Sequence, residues 1–237
     1  MSTTSEAAVI VEFNLAQSRR YKHEPAAVVG LQTALDAKYA SLGEIARLVL
    51  RRTAVFVGKF TLEAACSVAP CARLHRSRVA DGVSELLASA LMESSHGEST
   101  GSRYQLTLPT RLFALGKLVT HGEQDLVARN HAQYLQWVLE YAEVEFDRRE
   151  PGRWMAHYAG LLADVRTALD WAFSPSGDAS IGVDLTMAAI PLWVLAAPSD
   201  ELQRRIGRAL KSEAAMSHSG RNMRLRTAAR LAGMSNF

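Results

Sequence analysis

The sequence predicts a mainly α-helical chain: a winged-helix-like module with one short β-hairpin, followed by a short α-solenoid of stacked helices. Three observations predict it. Apolar residues recur at helical spacing through most of the 237 residues. One stretch, RYQLTL (103–108), instead alternates with period two. After Gly122 the pattern is helices only, on connectors of a few residues, as in stacked helix pairs.

In chain order, LQTALDAKY (31–39) places Leu31, Ala34, Leu35 and Lys38 at helical intervals, so one face is largely apolar. EIARLVLRRTAVF then points Ile45, Leu48, Val49 and Val55 inward and leaves Arg47, Arg51 and Arg52 outside. Gly58 breaks the pattern. Thr61 is placed to cap LEAACSVA, because its hydroxyl can accept an orphan amide hydrogen bond, and Pro70 ends that helix. VADGVSELLASALM carries Val83, Leu86, Leu87, Ala90 and Leu91 on one stripe, with Gly82 weakening it by about 1 kcal/mol relative to alanine. ESSHGESTGS (93–102) reads as a polar loop, and RYQLTL as a strand with Tyr104, Leu106 and Leu108 on one side. With the apolar ALM before the loop, these make a hairpin. Pro109 suits the first turn of RLFALGKLV.

Beyond Gly122, DLVARNHAQYLQWVLEYAEVEF carries a stripe through Val127, His131, Tyr134, Leu135, Val138 and Ala142, ended by EPG (150–152). RWMAHYAGLLADVRTALDWAF continues it through Tyr158, Leu161, Leu162, Val165 and Leu169. SPSGD (174–178) connects to a buried helix at 187–197, kinked near Pro191, then to DELQRRIGRAL and NMRLRTAARLAGM. No strict 34-residue repeat is legible, so the array is short or degenerate. The expected division is an unassigned arm over 1–30, the winged-helix-like domain over 31–121 and the helical-repeat region over 122–237.

Composition excludes the extremes. Apolar residues make up 48% and charged residues 22%, an ordinary globular balance. A net charge of +3 is too small to argue for nucleic acid on its own. Two cysteines cannot build a disulfide framework, which fits a reducing compartment. The N-terminus lacks the basic and long apolar regions of a signal peptide, so a cytoplasmic location is expected. The most apolar stretch, 181–198, holds Asp184 and Pro191 and reads as core, not as a membrane span.

Candidate chemistry is thin. Cys66, Cys71 and His75 lack a fourth ligand at zinc spacing, so no metal is expected. VGKFT (57–61) has no glycine five positions before Gly58 and puts Phe60 where a phosphate loop needs a hydroxyl residue. The seven histidines, His131 and His157 among them, have no acid or nucleophile at a recognised spacing. No catalytic residue, cofactor or enzymatic activity is therefore expected. Charge is uneven: 201–237 hold eight Arg/Lys against two Glu. Arg204, Arg205, Arg208, Lys211, Arg221, Arg224, Arg226 and Arg230 are the candidate contacts to a partner or to nucleic acid.

Several of these stretches together carry a resemblance. LQTALDAKYASLGEIARLVLRRTAVFVGKFTLEAA resembles the start of the winged-helix domain of signal-transduction ATPases with numerous domains (STAND proteins). More narrowly, the chain is similar to bacterial ATPase-like transcriptional regulators with a tetratricopeptide-like C-terminal region. RYQLTLPTRLFALGKLVTHGE matches the wing strand and following helix, and LVARNHAQYLQWVLEYAE with the DVRTALDWAFS…GD stretch matches the helical region. The likeness covers about residues 31–235 and implies a winged helix that transmits the state of a nucleotide domain and does not itself read DNA. Where many STAND proteins carry a nucleotide-sensing His-Asp pair, this chain has Thr107 and Leu108, and Gly116 replaces a usual polar helix former. The first 30 residues have no room for a phosphate-loop domain. The expectation is a non-enzymatic regulatory fragment that contacts a protein partner through its helical array, with self-association at the array's open end. Direct DNA binding through the winged helix or the basic C-terminus is the second reading.

Overall fold

The computed structural model describes residues 25–70, 74–97, 101–146, 148, 150–196 and 199–216. It is mainly α-helical with one antiparallel two-stranded hairpin among the described residues. The elements are α1 (Pro25–Ser41), α2 (Glu44–Thr53), α3 (Leu62–Val68), α4 (Arg76–Ala88), β1 (Glu93–Gly97), β2 (Gly101–Gln105), α5 (Leu108–Thr120), α6 (Gln124–Phe146), α7 (Pro151–Tyr158), a 3-10 turn (Ala159–Leu161), α8 (Leu162–Ala172), α9 (Ala179–Ala188), α10 (Ile190–Ala196) and α11 (Ser199–Met216).

The front elements pack as a winged helix does. Helices α2, α3 and α4 enclose Val49, Leu50, Ala65, Val68, Val79 and Leu86. The hairpin pairs Glu93 with Gln105 through Gly97 with Gly101. Phe60 adds a third, one-residue rung, its backbone exchanging hydrogen bonds of 2.9 and 2.8 Å with Tyr104. Thr61 then caps α3 by accepting from the Ala64 amide at 3.0 Å. The VGKFT segment is thus a strand rung and a helix cap. Gly82 lies where α4 crosses α2: a Cβ there would sit 2.8 Å from Val49 Cγ2.

Several expectations are corrected. Strand β1 lies inside the polar stretch 93–97, not in the apolar ALM before it. Leu91 and Met92 are instead buried core residues, and β1 is a projecting wing in which polar residues suit both faces. Leu108 opens α5 and is 39% exposed, because Thr107 caps that helix and ends the strand's alternation. Glu150-Pro151-Gly152 starts α7 and does not merely end α6: the Glu150 carboxylate accepts from the Gly152 and Arg153 amides at 2.9 and 3.0 Å. The stripe through Tyr158 and Val165 breaks at the 3-10 turn containing Gly160, a poor helix former. The expected 187–197 helix is two helices, α9 and α10, bent by 56° at Ala189, ahead of Pro191.

Helices α6 to α11 build a second buried cluster around Leu135, Leu139, Trp154, Leu169, Leu185 and Trp193. Helix α6 serves both clusters, with Val127 in the first and Ala132 onward in the second. No single described helix is long and apolar enough to cross a membrane, and the bent α9–α10 pair buries Leu185, Leu192 and Trp193 in this core.

Candidate functional site at the junction of the two cores

The winged core meets the helical array through buried polar groups. The loop after α2 turns Val57 toward α8, and its amide donates to Asp164 Oδ1 at 2.7 Å. Asp164 is 1% exposed. From α5, Arg111 Nε donates to the Phe56 carbonyl at 2.7 Å. Burial pulls the Arg111 guanidinium below its ordinary pKa, and the Asp164 charge opposes that pull. Gly58 fits against the Gly160 carbonyl, where a Cβ would stand 3.4 Å away. His131 of α6 closes the cluster. Its ring is 1% exposed, meets the Phe56 ring edge-on at 5.1 Å and brings Nε2 to 3.4 Å from Asp164 Oδ1. That approach misses hydrogen-bond geometry, so both ring nitrogens lack a hydrogen bond.

A second tie lies at the start of α6. Glu123 accepts from Arg51 Nε at 2.9 Å and from Arg52 Nη2 at 2.9 Å. Arg51 also donates to the Tyr39 hydroxyl at 2.9 Å, and Arg52 to the Ala69 carbonyl at 2.7 Å. Burial pushes the Glu123 carboxyl up, but hydrogen bonds from Arg51 and Arg52 overcome it and hold the group below the usual carboxylate range. Both arginines are buried, which corrects the expectation that they face solvent. On α2 they stand next to the core stripe, and Glu123 supplies the charge that makes their burial tolerable.

Further along α6, beyond His131, lies a cleft of about 240 Å³. Thr61, Glu63 and Arg103 form its winged side; Tyr134, Trp137, Val138 and Tyr141 of α6 and His157, Tyr158 and Leu161 form the other. Burial pushes the Tyr134 hydroxyl's pKa up, and its hydrogen bond with Thr61 works against that shift. The aromatic residues all lie on the second side, and the winged side carries Arg103 and Glu63 as opposite charges. Such a surface binds side chains by stacking and apolar contact.

The basic residues singled out in the sequence divide in two. Arg204 pairs with Asp200 at 2.5 Å on the surface of α11. Arg205 reaches Asp170 at 2.6 Å and lies 5.8 Å over the Trp193 ring. Arg208 donates to the Phe173 carbonyl at 2.8 Å and lies 5.1 Å over the Phe173 ring. Lys211 is exposed. Arg221, Arg224, Arg226 and Arg230 lie outside the described residues. Among the described residues no His, Cys, Asp or Glu cluster could hold a metal ion. Cys66 donates from its thiol to the Arg76 carbonyl at 3.5 Å, and Cys71 lies outside the described residues. Asp164, Glu123 and Arg111 were not singled out by the sequence; His131 was, as a packed stripe residue.

The DVRTALDWAFS…GD stretch acquires a physical account here. Asp164 holds Val57, Arg166 pairs with Glu201 at 2.6 Å, and Asp170 takes Arg205. Asp178 caps α9 through the Ser180 amide at 3.1 Å and receives Arg129 at 2.7 Å. Gly177 is confined: a Cβ would fall 2.0 Å from the Trp171 carbonyl oxygen.

The chain is similar to transcriptional regulators. Proteins of Mycobacterium tuberculosis (strain ATCC 25618 / H37Rv) and Mycobacterium bovis (strain ATCC BAA-935 / AF2122/97), provisionally named HTH-type transcriptional regulators, are each 28% identical to it over 163 residues. That stretch is 69% of this chain and 18% of each relative, so the chain matches less than a fifth of those proteins. No family model and no solved structure matches it.

Proposed function

We propose that this chain is a non-enzymatic regulatory part of a STAND-type transcriptional regulator, in which the winged-helix-like module and the tetratricopeptide-like array act as one unit on a protein partner. The similarity to regulators in two mycobacteria supports the regulatory role. The observation that carries the protein-contact reading is the charge of α4, the helix a winged-helix DNA reader would place in the major groove. Its exposed face holds Arg76 and Arg78, but Asp81 lies 3.6 Å from Arg78, and Glu85 is committed to the Gly43 amide at 2.7 Å. DNA affinity requires several phosphates to be neutralised together, and this face is nearly balanced.

Direct DNA binding is the second reading, favoured by the relatives' name and by the eight cations of 201–237. Anisotropy of a labelled random duplex at roughly 50 mM and 200 mM salt separates the two, since phosphate contacts weaken steeply over that range. The expected result is no saturable binding at either. Binding at low salt that collapses at high salt would replace the protein-contact reading with the DNA one.

A further inference from the structure

His131 is buried, and neither of its ring nitrogens has a hydrogen-bond partner among the described residues. At neutral pH the ring carries at least one N–H in any tautomer, so a donor is left unpaired in the interior. Buried polar groups are almost always paired, because an unpaired one gives up its hydration for nothing. Packing accounts for the ring and not for its nitrogens: Phe56 meets it edge-on at 5.1 Å, a contact that an apolar side chain makes as well.

A partner stands just out of reach. Nε2 lies 3.4 Å from Asp164 Oδ1, and that same oxygen accepts the Val57 amide at 2.7 Å. Three elements thus converge on one carboxylate oxygen: α8 supplies it, the loop after α2 brings the amide, and α6 brings the imidazole. Val57 belongs to the winged module and α8 to the array, while α6 runs through both cores. What Asp164 holds therefore decides what ties α8 to the rest of the protein. The loop has a hold of its own on the winged side, where Arg111 Nε of α5 donates to the Phe56 carbonyl at 2.7 Å. On the array side little else grips it. Val57 is 37% exposed, and Gly58 faces the Gly160 carbonyl, so neither glycine brings a side chain that locks loop to array.

We propose that Asp164 is a two-position latch: in one position it holds the Val57 amide, and in the other it accepts from His131 Nε2 and lets the loop go. A closure of about half an ångström brings Nε2 within hydrogen-bond distance of Oδ1. The exchange trades one buried hydrogen bond for another. The released amide reaches water at a half-exposed residue, and Arg111 keeps the loop on the winged core. A partner that binds either module better in one position shifts the balance, and the junction then transmits the event. The latch goes beyond the protein-contact reading and holds whichever macromolecule the chain contacts.

Amide hydrogen exchange of the full chain, followed residue by residue by NMR, tests it. A released amide exchanges without global unfolding, so Val57 is expected to exchange at least ~10-fold faster than the core amides of Leu50 and Leu169. His131→Leu and His131→Phe keep an apolar group against Phe56 and have no donor to offer Asp164. In both, the Val57 rate is expected to fall at least ~10-fold relative to that of Leu50. His131→Gln restores a side-chain N–H donor and is expected to keep the wild-type ratio. A histidine with a structural role alone would shift all three rates together and leave the ratio unchanged. The latch is overturned by an unchanged ratio in whichever of His131→Leu and His131→Phe folds, or by His131→Gln behaving as His131→Leu does. A wild-type Val57 amide as slow as that of Leu50 overturns it without any variant. None of these results bears on protein against DNA contact, which the duplex measurement decides.

Discussion

Arg51 and Arg52 show how a single residue's environment can invert its apparent role. As charged residues at the end of an amphipathic helix they read as solvent-facing, yet both are buried against Glu123, which lies 71 and 72 residues away in sequence. Glu123→Gln keeps the shape and an acceptor but removes the charge, leaving two buried guanidiniums without a counterion. A loss of about 3 kcal/mol in unfolding free energy at neutral pH is expected, measured by urea titration. The pH dependence has a definite sign. Glu123 is held below its ordinary pKa in the fold, so its stabilisation is fully present above the unfolded value of about 4.3 and disappears as pH falls through the folded value. The difference between wild type and Glu123→Gln should therefore be constant near neutrality and shrink below about pH 4. Part of this was legible: Arg52 stands three residues after Val49 and seven after Ile45, on the stripe that the helical period assigns to the core. Its partner was not, because no local pattern links α2 to the start of α6. Asp164 escaped for the same reason, its ligand being a backbone amide 107 residues away.

At the scale of elements, helices and their caps were the legible part, because 3.6-residue spacing, Thr61, Pro109 and the SPSGD connector act locally. The hairpin was legible in kind and misplaced in register: β1 is too polar to carry an alternation signal, and the Phe60 rung is one residue long. Gly82 illustrates a local rule overruled by packing. Propensity alone gives Gly82→Ala a gain of about 1 kcal/mol in a helix interior. The new Cβ would instead meet Val49 Cγ2 at 2.8 Å, Val49 Cβ at 3.2 Å and Ile45 Cγ2 at 3.3 Å, all on β-branched side chains with little freedom to move. Forcing α2 and α4 apart costs about 1–3 kcal/mol, so the expected outcome is a net loss of stability in a urea titration. A more stable Gly82→Ala protein would mean that the two helices can separate cheaply, and that the winged core is looser than its geometry implies.

For the whole molecule, the question is whether two cores joined by α6 unfold together. All four tryptophans lie in α6 to α10, three of them (Trp154, Trp171 and Trp193) packed in the array and Trp137 at the junction cleft, so their fluorescence reports mainly the array, while far-UV circular dichroism reports every helix. Helix α6 places Val127 in the first core and Leu135 in the second, and a helix cannot lose one end's packing without exposing surface at the other. The Asp164–Val57 tie adds a buried polar contact that neither core satisfies by itself. The two probes should therefore follow one coincident transition in urea. Asp164→Ala tests the cause: it orphans the Val57 amide and removes the charge opposite Arg111, while leaving the apolar packing of both cores in place. Its fluorescence and dichroism transitions are expected to separate, with the shift confined to the junction's contribution of a few kcal/mol. Coincident curves in Asp164→Ala would assign the coupling to α6 alone. Separate curves already in the wild type would mean that the modules are tied too weakly for one to transmit a change to the other, and regulation through the junction would lose its physical basis.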